Sequence, residues 1–356
     1  MRVAISAGSA ASAGEHWESI VDFVVESEKL GANAVWTAEA WGMDAVSTAA
    51  FLAARTKTIT VGTGIMQISA RAPAMTAMTA LSMAAMTGDR FILGLGASGP
   101  QVVEGLHGWR FDKPIGRMRE CIEIIRKAFR GEKLEYHGNH YDMPLPEGEG
   151  KPLRLAQAAN ENIPIYLATL SPKALRLTGE LADGWLGTSF TPEGAAGFTD
   201  YIRAGAEKAG RSLDDIDLQV GGTVQFGDDV DAMVRSKKAG VAFQLGAMGS
   251  AVHNFYNDAF KRGGYEEAGR TIQRLWLEKK RDEAVEAVPD DMVLNSNMLG
   301  TKAMVKERMR AFRDAGITTL RIDPHGETLQ ERLDTLGRAI ELVKEVSTEN
   351  VPAARS

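Results

Sequence analysis

The pattern that most restricts this chain is an alternation running along its 356 residues. Short apolar β-type runs fall at residues 3–6, 34–37, 59–62, 91–96, 163–168, 184–187, 216–226 and 319–323. Segments of helical periodicity lie between them at 15–30, 44–55, 73–86, 116–129, 172–181, 192–209 and 302–315, and a last one follows at 328–346. In the first helix Trp17, Ile20, Val21, Val24 and Leu30 share one face, and Gly31 supplies a stop. A helix after each strand returns the chain to the same end of the sheet, so the strands run parallel. Eight such units predict a (β/α)8 TIM barrel, an α/β fold, with a doubly wound open sheet as the second choice. No Gly/Ser/Pro linker divides the chain. One domain is expected over 1–346, with insertions near 97–115, 131–162 and 228–300 and a flexible tail at 347–356.

Composition removes several function classes. The formal charge is −6, from 41 basic and 47 acidic residues, and no basic cluster marks a nucleic-acid partner. No apolar run is long enough for a membrane span. The first residues read as a strand without the long apolar core of a secretory leader. The single cysteine, Cys121, cannot form an intramolecular disulfide, so a reducing, cytoplasmic setting is expected. Residues 134–141 alternate like a hairpin turning at Gly138-Asn139, and 144–154 read as a surface excursion.

Barrel sites lie at the C-terminal strand ends. The end of the third strand, Val61-Gly-Thr-Gly-Ile-Met-Gln67, brackets Thr63 with Gly62 and Gly64 ahead of Ile65, the pattern of a bulge able to lie flat against a planar ring. The fourth strand ends in Gly96-Ala97-Ser98-Gly99-Pro-Gln101 and the fifth in Ala168-Thr169-Leu170-Ser171-Pro172. Both can cradle a phosphate, the second at a helix N-terminus, where Ser171 also reads as an N-cap. Gly94-Leu-Gly96-Ala-Ser-Gly99 formally matches the dinucleotide fingerprint, but Pro100 and a polar loop are expected where a helix should open.

These ends are rich in backbone donors and poor in acids and bases, which fits a large polar cofactor better than hydrolysis. Glu39, beside Trp41, is the candidate catalytic acid: in an apolar, aromatic-lined setting a carboxylate can hold or deliver a proton. Helix capping or an ion pair is the other reading. His107, near Glu104 and Trp109, can face a pocket, as can His325; His16 and His253 read as surface. His137 and His140 lack the further ligands of a metal site, so no metal is expected. Met75, Met78, Met83 and Met86 read as core, whereas Met66 belongs to the strand-three turn.

The chain resembles the luciferase-like monooxygenase superfamily, and within it the branch of coenzyme F420-dependent oxidoreductases. The matching text is 34–40 (AVWTAEA), 61–67 (VGTGIMQ), Arg71-Ala-Pro73, 88–96 (GDRFILGLG), Ser98-Gly-Pro-Gln101 and 181–185 (LADGW). The resemblance implies a cofactor lying across the strand ends, with F420 as first choice and FMN as the alternative. It implies a cis peptide between Gly64 and Ile65 backing the ring, and maps a carboxylate onto Glu39. It maps cofactor contacts onto Ala40, Thr63, Gly64, Ile65, Gly96, Ala97, Ser98, Gly99, Gln101 and 168–172, with Gly187 and Thr188 nearby.

In the sugar-phosphate dehydrogenases of this branch a histidine follows the carboxylate, where this chain has Ala40, and their acid after the strand-four glycines is absent unless Glu104 substitutes. Sugar-phosphate oxidation is therefore not expected. The expected reaction moves a hydride between deazaflavin C5 and a small organic substrate. An FMN-dependent monooxygenase and a non-catalytic F420-binding protein are the alternatives. Trp41, Trp109 and Phe111 are candidate pocket walls with Glu104 and His107, roofed by the loop 101–115 and the insertion 240–295. The Ala/Met-rich second and third helices, with the resemblance, point to a homodimer or higher homo-oligomer.

Overall fold

The computed structural model describes residues 1–7, 16–249 and 254–349. The expected helix start at Glu15, the surface position of His253 and residues 350–356 of the expected tail lie outside the described residues. Eight parallel strands form a closed ring: β1 (Arg2–Ser6), β2 (Ala34–Thr37), β3 (Thr60–Thr63), β4 (Phe91–Gly96), β5 (Ile165–Ala168), β6 (Gly184–Leu186), β7 (Asp217–Phe226) and β8 (Thr319–Pro324). Each strand pairs with its neighbour in sequence, and β8 pairs back onto β1, so the ring has no free edge. Helices Trp17–Leu30, Ala45–Arg55, Pro73–Thr87, Pro114–Phe129, Pro172–Leu181, Ala196–Lys208, Lys302–Asp314 and Leu329–Thr348 surround it.

The main core lies between strands and helices, with Phe23, Phe91, Phe129, Phe198 and Phe312 fully buried. Helices Val230–Gly246, Phe255–Arg262, Glu266–Leu277, Arg281–Glu286 and Asp290–Ser296 form the long excursion after β7 and bury a second cluster around Leu245, Ile272 and Met292. Among the described residues no helix is long and apolar enough to cross a membrane.

Strand register fixes which side chains enter the barrel. Ala4, Trp36, Gly62, Gly94, Tyr166, Leu186, Gln219 and Arg321 share its inner face. Trp36 fills the centre, its ring 5.7 Å from that of Tyr166 and its Nε1 donating to Gln219 Oε1 at 3.0 Å. Gly62 is glycine because of that indole: a Cβ there would lie 2.4 Å from Trp36 Cζ3. Gly94 is glycine because a Cβ would strike the Thr63 carbonyl oxygen at 1.8 Å.

Four expectations change here. Met75, Met78 and Met86 are exposed, because Pro73–Thr87 buries the stripe of Thr76, Ala77, Ala80, Met83, Ala84 and Thr87 instead. The hairpin pairs Tyr136–His137 with Asp142–Met143 across a longer turn, whose three amides at Asn139, His140 and Tyr141 donate to the buried Glu120 carboxylate. A helix, Pro100–Val103, does open directly after Gly99, with proline at its first turn, where its missing N–H costs nothing. The last helix runs on to Thr348, and Ser347 Oγ accepts from the Met1 amino group at 2.7 Å, so the expected tail begins inside a helix.

Candidate cofactor site at the barrel mouth

The C-terminal mouth is shaped by a break in β3. After Thr63 the strand leaves the ladder and resumes at Met66–Gln67, paired with Leu95–Gly96 one residue out of register. That is a β-bulge, and the side chains beyond it swap faces. Met66 therefore turns into the outer core, fully buried, and Gln67 turns toward the mouth. The Gly64–Ile65 peptide in the bulge is cis, as the resemblance implies. Gly64 N donates to Thr37 O at 2.6 Å, and the Ile65 side chain lies over Gly96, where a Cβ would meet it at 2.9 Å.

Glu39 ties the end of β2 to this bulge. Its Oε1 accepts from Gln67 N at 2.9 Å and from Arg71 Nη1 at 2.6 Å, and its Oε2 accepts from Ala45 N at 3.3 Å. The apolar setting expected of a proton donor is absent, since an arginine and two amides occupy the carboxylate. Arg71 also lies 3.9 Å from Asp44, whose side chain caps helix Ala45–Arg55 at Val46 and Ser47. Burial opposes ionisation of Asp44, but those amides and Arg71 outweigh it and hold its carboxyl below the usual range.

Beside this clamp is a cavity of about 420 Å³ lined by Glu39, Ala40, Trp41, Met43, Gln67, Arg71, Leu106 and His107. Trp41, Met43 and Leu106 form an exposed apolar rim. Gln67 Oε1, Ser69 Oγ and His107 Nε2 are sealed from solvent without a hydrogen-bond partner among the described residues. Of these residues Gln67 and His107 line the cavity, and two orphaned polar groups there suit a polar ligand. Gln67 could not be found by strand parity, because the bulge reverses it.

The other pocket candidates separate. Trp109 and Glu104 are exposed and lie off this cavity, and Glu104 Oε1 accepts from Phe111 N at 2.9 Å, closing its own loop rather than facing a ligand. Phe111 is partly buried and also lies off it, and His325 and His16 are exposed. His137 Nδ1 pairs with Asp142 at 2.5 Å, and no metal-binding cluster exists among the described residues.

The loops after β4 and β5 lie side by side, with Gly96 opposite Ala168. Ser98 takes a left-handed φ of 58°, turning the chain into helix Pro100–Val103. The backbone amides of Ala97, Ser98, Gly99, Thr169, Leu170 and Ser171 donate no hydrogen bond within the protein among the described residues. Thr169 is buried, where an unpaired amide is rare. Ser171 caps helix Pro172–Leu181, accepting from Ala174 N at 3.4 Å, so the helix dipole also points here. Trp185 Nε1 and Arg262 Nη2 hold the carbonyls of Thr169 and Leu170. Gln101 is exposed on the short helix, while Thr188 is partly buried past the end of β6. Two adjacent runs of free amides with a cation alongside suit a phosphate.

The luciferase-like monooxygenase family model matches residues 1–319. A provisionally named coenzyme F420-dependent oxidoreductase of Mycobacterium tuberculosis is 36% identical over 307 residues, covering 84% of this chain and 88% of that protein. The 5,10-methylenetetrahydromethanopterin reductase of Archaeoglobus fulgidus is 27% identical over 323 residues, covering 89% and 93%. Among solved structures, the coenzyme F420-dependent tetrahydromethanopterin reductase of Methanopyrus kandleri superposes with a TM-score of 0.74 at 20% identity, over 95% of this chain and 96% of that one. Sequence and barrel agree: the chain belongs to the luciferase-like monooxygenase family.

Proposed function

We propose that the protein is a coenzyme F420-dependent oxidoreductase moving a hydride between the deazaflavin and a small organic substrate. One observation carries this reading: six unpartnered amides after β4 and β5 stand beside a bulge whose backbone faces the same mouth. That donor set fits a phosphate-bearing planar cofactor, and a relative named for F420 matches 84% of the chain. When bound, the deazaflavin supplies the hydride chemistry at C5.

The protein's own groups bind, orient and exclude water. Ala97–Gly99 and Thr169–Ser171 grip the phosphate, with Arg262 at hand. The bulge, locked by Glu39 and Arg71, fixes the ring plane. Trp41, Met43 and Leu106 wall the substrate from water, and Gln67 offers an acceptor. His107 lines the cavity and its Nε2 has no protein partner among the described residues, so it holds or takes the substrate proton; Glu39, with both oxygens engaged, positions the bulge. Arg262 reaches the Leu170 carbonyl and Gln244 reaches Ser189, so the excursion after β7 covers the strand ends. Exposed Met75, Met78, Met86 and Phe51 support self-association, and the free Cys121 fits a reducing, cytoplasmic compartment.

Titration with F420 and, separately, FMN, followed by fluorescence quenching, tests the reading. Micromolar or tighter F420 binding without FMN binding is expected. Binding of FMN alone moves the protein to oxygen-dependent chemistry, and binding of neither overturns the cofactor site.

A further inference from the structure

Arg321 is an unusual residue for the middle of a barrel. It lies in register with Ala4 of β1 and Gly221 of β7, on the strand face that looks inward. Its Nη2 donates to the Gly187 carbonyl at 3.0 Å. A guanidinium has five N–H donors. The others have no protein acceptor, and no carboxylate pairs with Arg321 among the described residues. Asp323, two residues along the same face, accepts from Thr223 Oγ1 at 3.2 Å. Asp217, deeper in the barrel, is taken by Arg2 at 2.8 Å and by Thr318, Thr319, Gln219 and Tyr166. Arg321 is partly buried, and this desolvation pushes its pKa below the ordinary value, with one carbonyl and no carboxylate beside it among the described residues. Such a placement is costly, and it is repaid when an anion arrives.

The depth of the guanidinium limits what that anion is. Gly187 directly follows β6, and the Gly64–Ile65 bulge directly follows β3. The Arg321 head and the bulge therefore lie at the same level, on the floor of the mouth. A planar ring resting on the bulge presents an edge to Arg321, whereas a substrate above that ring lies farther out.

We propose that Arg321 binds the anionic N1–C2=O edge of the deazaflavin in its two-electron-reduced, N1-deprotonated form. This rests on the F420 reading above. In the oxidative direction a substrate C–H bond would break and its electron pair would form the new C5–H bond. The charge delivered to the ring would then rest on N1 and O2, and the proton released by the substrate would pass to His107, the acceptor proposed above. Arg321 faces the charge that appears in that step and is left uncompensated when the ring is oxidised.

The test compares oxidised F420 with chemically reduced F420 under argon, each titrated into wild type, Arg321→Met and Arg321→Lys. Arg321→Met should weaken binding of the reduced form by about tenfold or more while changing the oxidised form by less than about threefold, the difference expected for a charge-assisted hydrogen bond. Arg321→Lys should fall between. The absorbance of bound reduced F420 should show N1 protonating at higher pH in Arg321→Met than in wild type. Thermal unfolding without cofactor should leave Arg321→Met at or above wild type, since an unpaired cation is exchanged for an apolar chain of similar length.

Equal loss for both redox forms would overturn the proposal and give Arg321 a fixed anion such as the phosphate. No loss for either form would overturn it in favour of a substrate anion. A large fall in unfolding temperature would overturn it in favour of a structural bond to Gly187. Failure of wild type to bind F420 in either form is a separate result, which defeats the cofactor reading itself.

Discussion

Replacing Gly62 with alanine tests the packing beneath the bulge. The added methyl would sit 2.4, 2.7 and 2.9 Å from Cζ3, Cε3 and Cη2 of Trp36, where ordinary contact begins at 3.4 Å. The indole must move by about 1 Å, but it is buried, packs on Tyr166 and is tied to Gln219 at 3.0 Å. Overpacking of this kind costs about 1–3 kcal/mol. Stretching the Trp36–Gln219 bond adds about 1 kcal/mol. The lost chain freedom of glycine in the unfolded state returns about 0.4–1 kcal/mol. The expected net loss is about 1–3.6 kcal/mol, read as a lower urea midpoint in far-ultraviolet circular dichroism at an unchanged slope. Making the change again in a Trp36→Leu background isolates the cause, because the methyl then has room and most of the cost should vanish. A loss within about 0.5 kcal/mol in wild type, or the same loss with and without Trp36, would refute the reasoning.

Four further outcomes are expected. Glu39→Gln should lower the urea midpoint and weaken F420 binding, at a cost of about 1–3 kcal/mol in stability, while leaving the pH profile of turnover unchanged; loss of a limb in that profile would make Glu39 the proton carrier. His107→Asn should cut turnover by about 10²–10⁴-fold with little change in F420 affinity; unchanged turnover would end its proposed role. Burial pushes the Cys121 thiol up to about 12, so Ellman's reagent at neutral pH should label it only after unfolding, and rapid native labelling would contradict its position. Burial opposes ionisation of Asp217, but hydrogen bonds from Thr318, Gln219 and Tyr166 and the charge of Arg2 hold its carboxyl below its ordinary value of 3.8. The stability it lends is therefore present above about pH 4 and drains away as pH falls through the lower folded value. Asp217→Asn should be less stable than wild type at neutral pH and lose less on acidification, and parallel acid curves would exclude the linkage.

The barrel was legible because each strand is an apolar run between helical patterns, and its order follows the chain. The two loops proposed to grip a phosphate could be picked out by position, since Ser98-Gly99 and Thr169–Ser171 directly follow strands. What escaped was whatever depends on a register step. Period-two reading sends Met66 toward the mouth and Gln67 outward; the bulge reverses both. Glu39 was visible as an acid, but Arg71 stands 32 residues away in sequence, and pairing at that distance leaves no local trace. Pro100 was read as an interruption, although at a first helical turn it begins a helix. The methionines of the third helix misled because a helix apolar all round does not show which stripe turns inward.

The glycines around Trp36 decide where this scaffold can change. At Gly62 a methyl collides with the buried Trp36 indole and at Gly94 with the Thr63 carbonyl, so the floor of the mouth admits almost no substitution at these two positions. The rim differs, because Trp41, Met43 and Leu106 are exposed. On the proposed function, substrate range should shift when the rim is redrawn at these three positions, while the floor stays as it is.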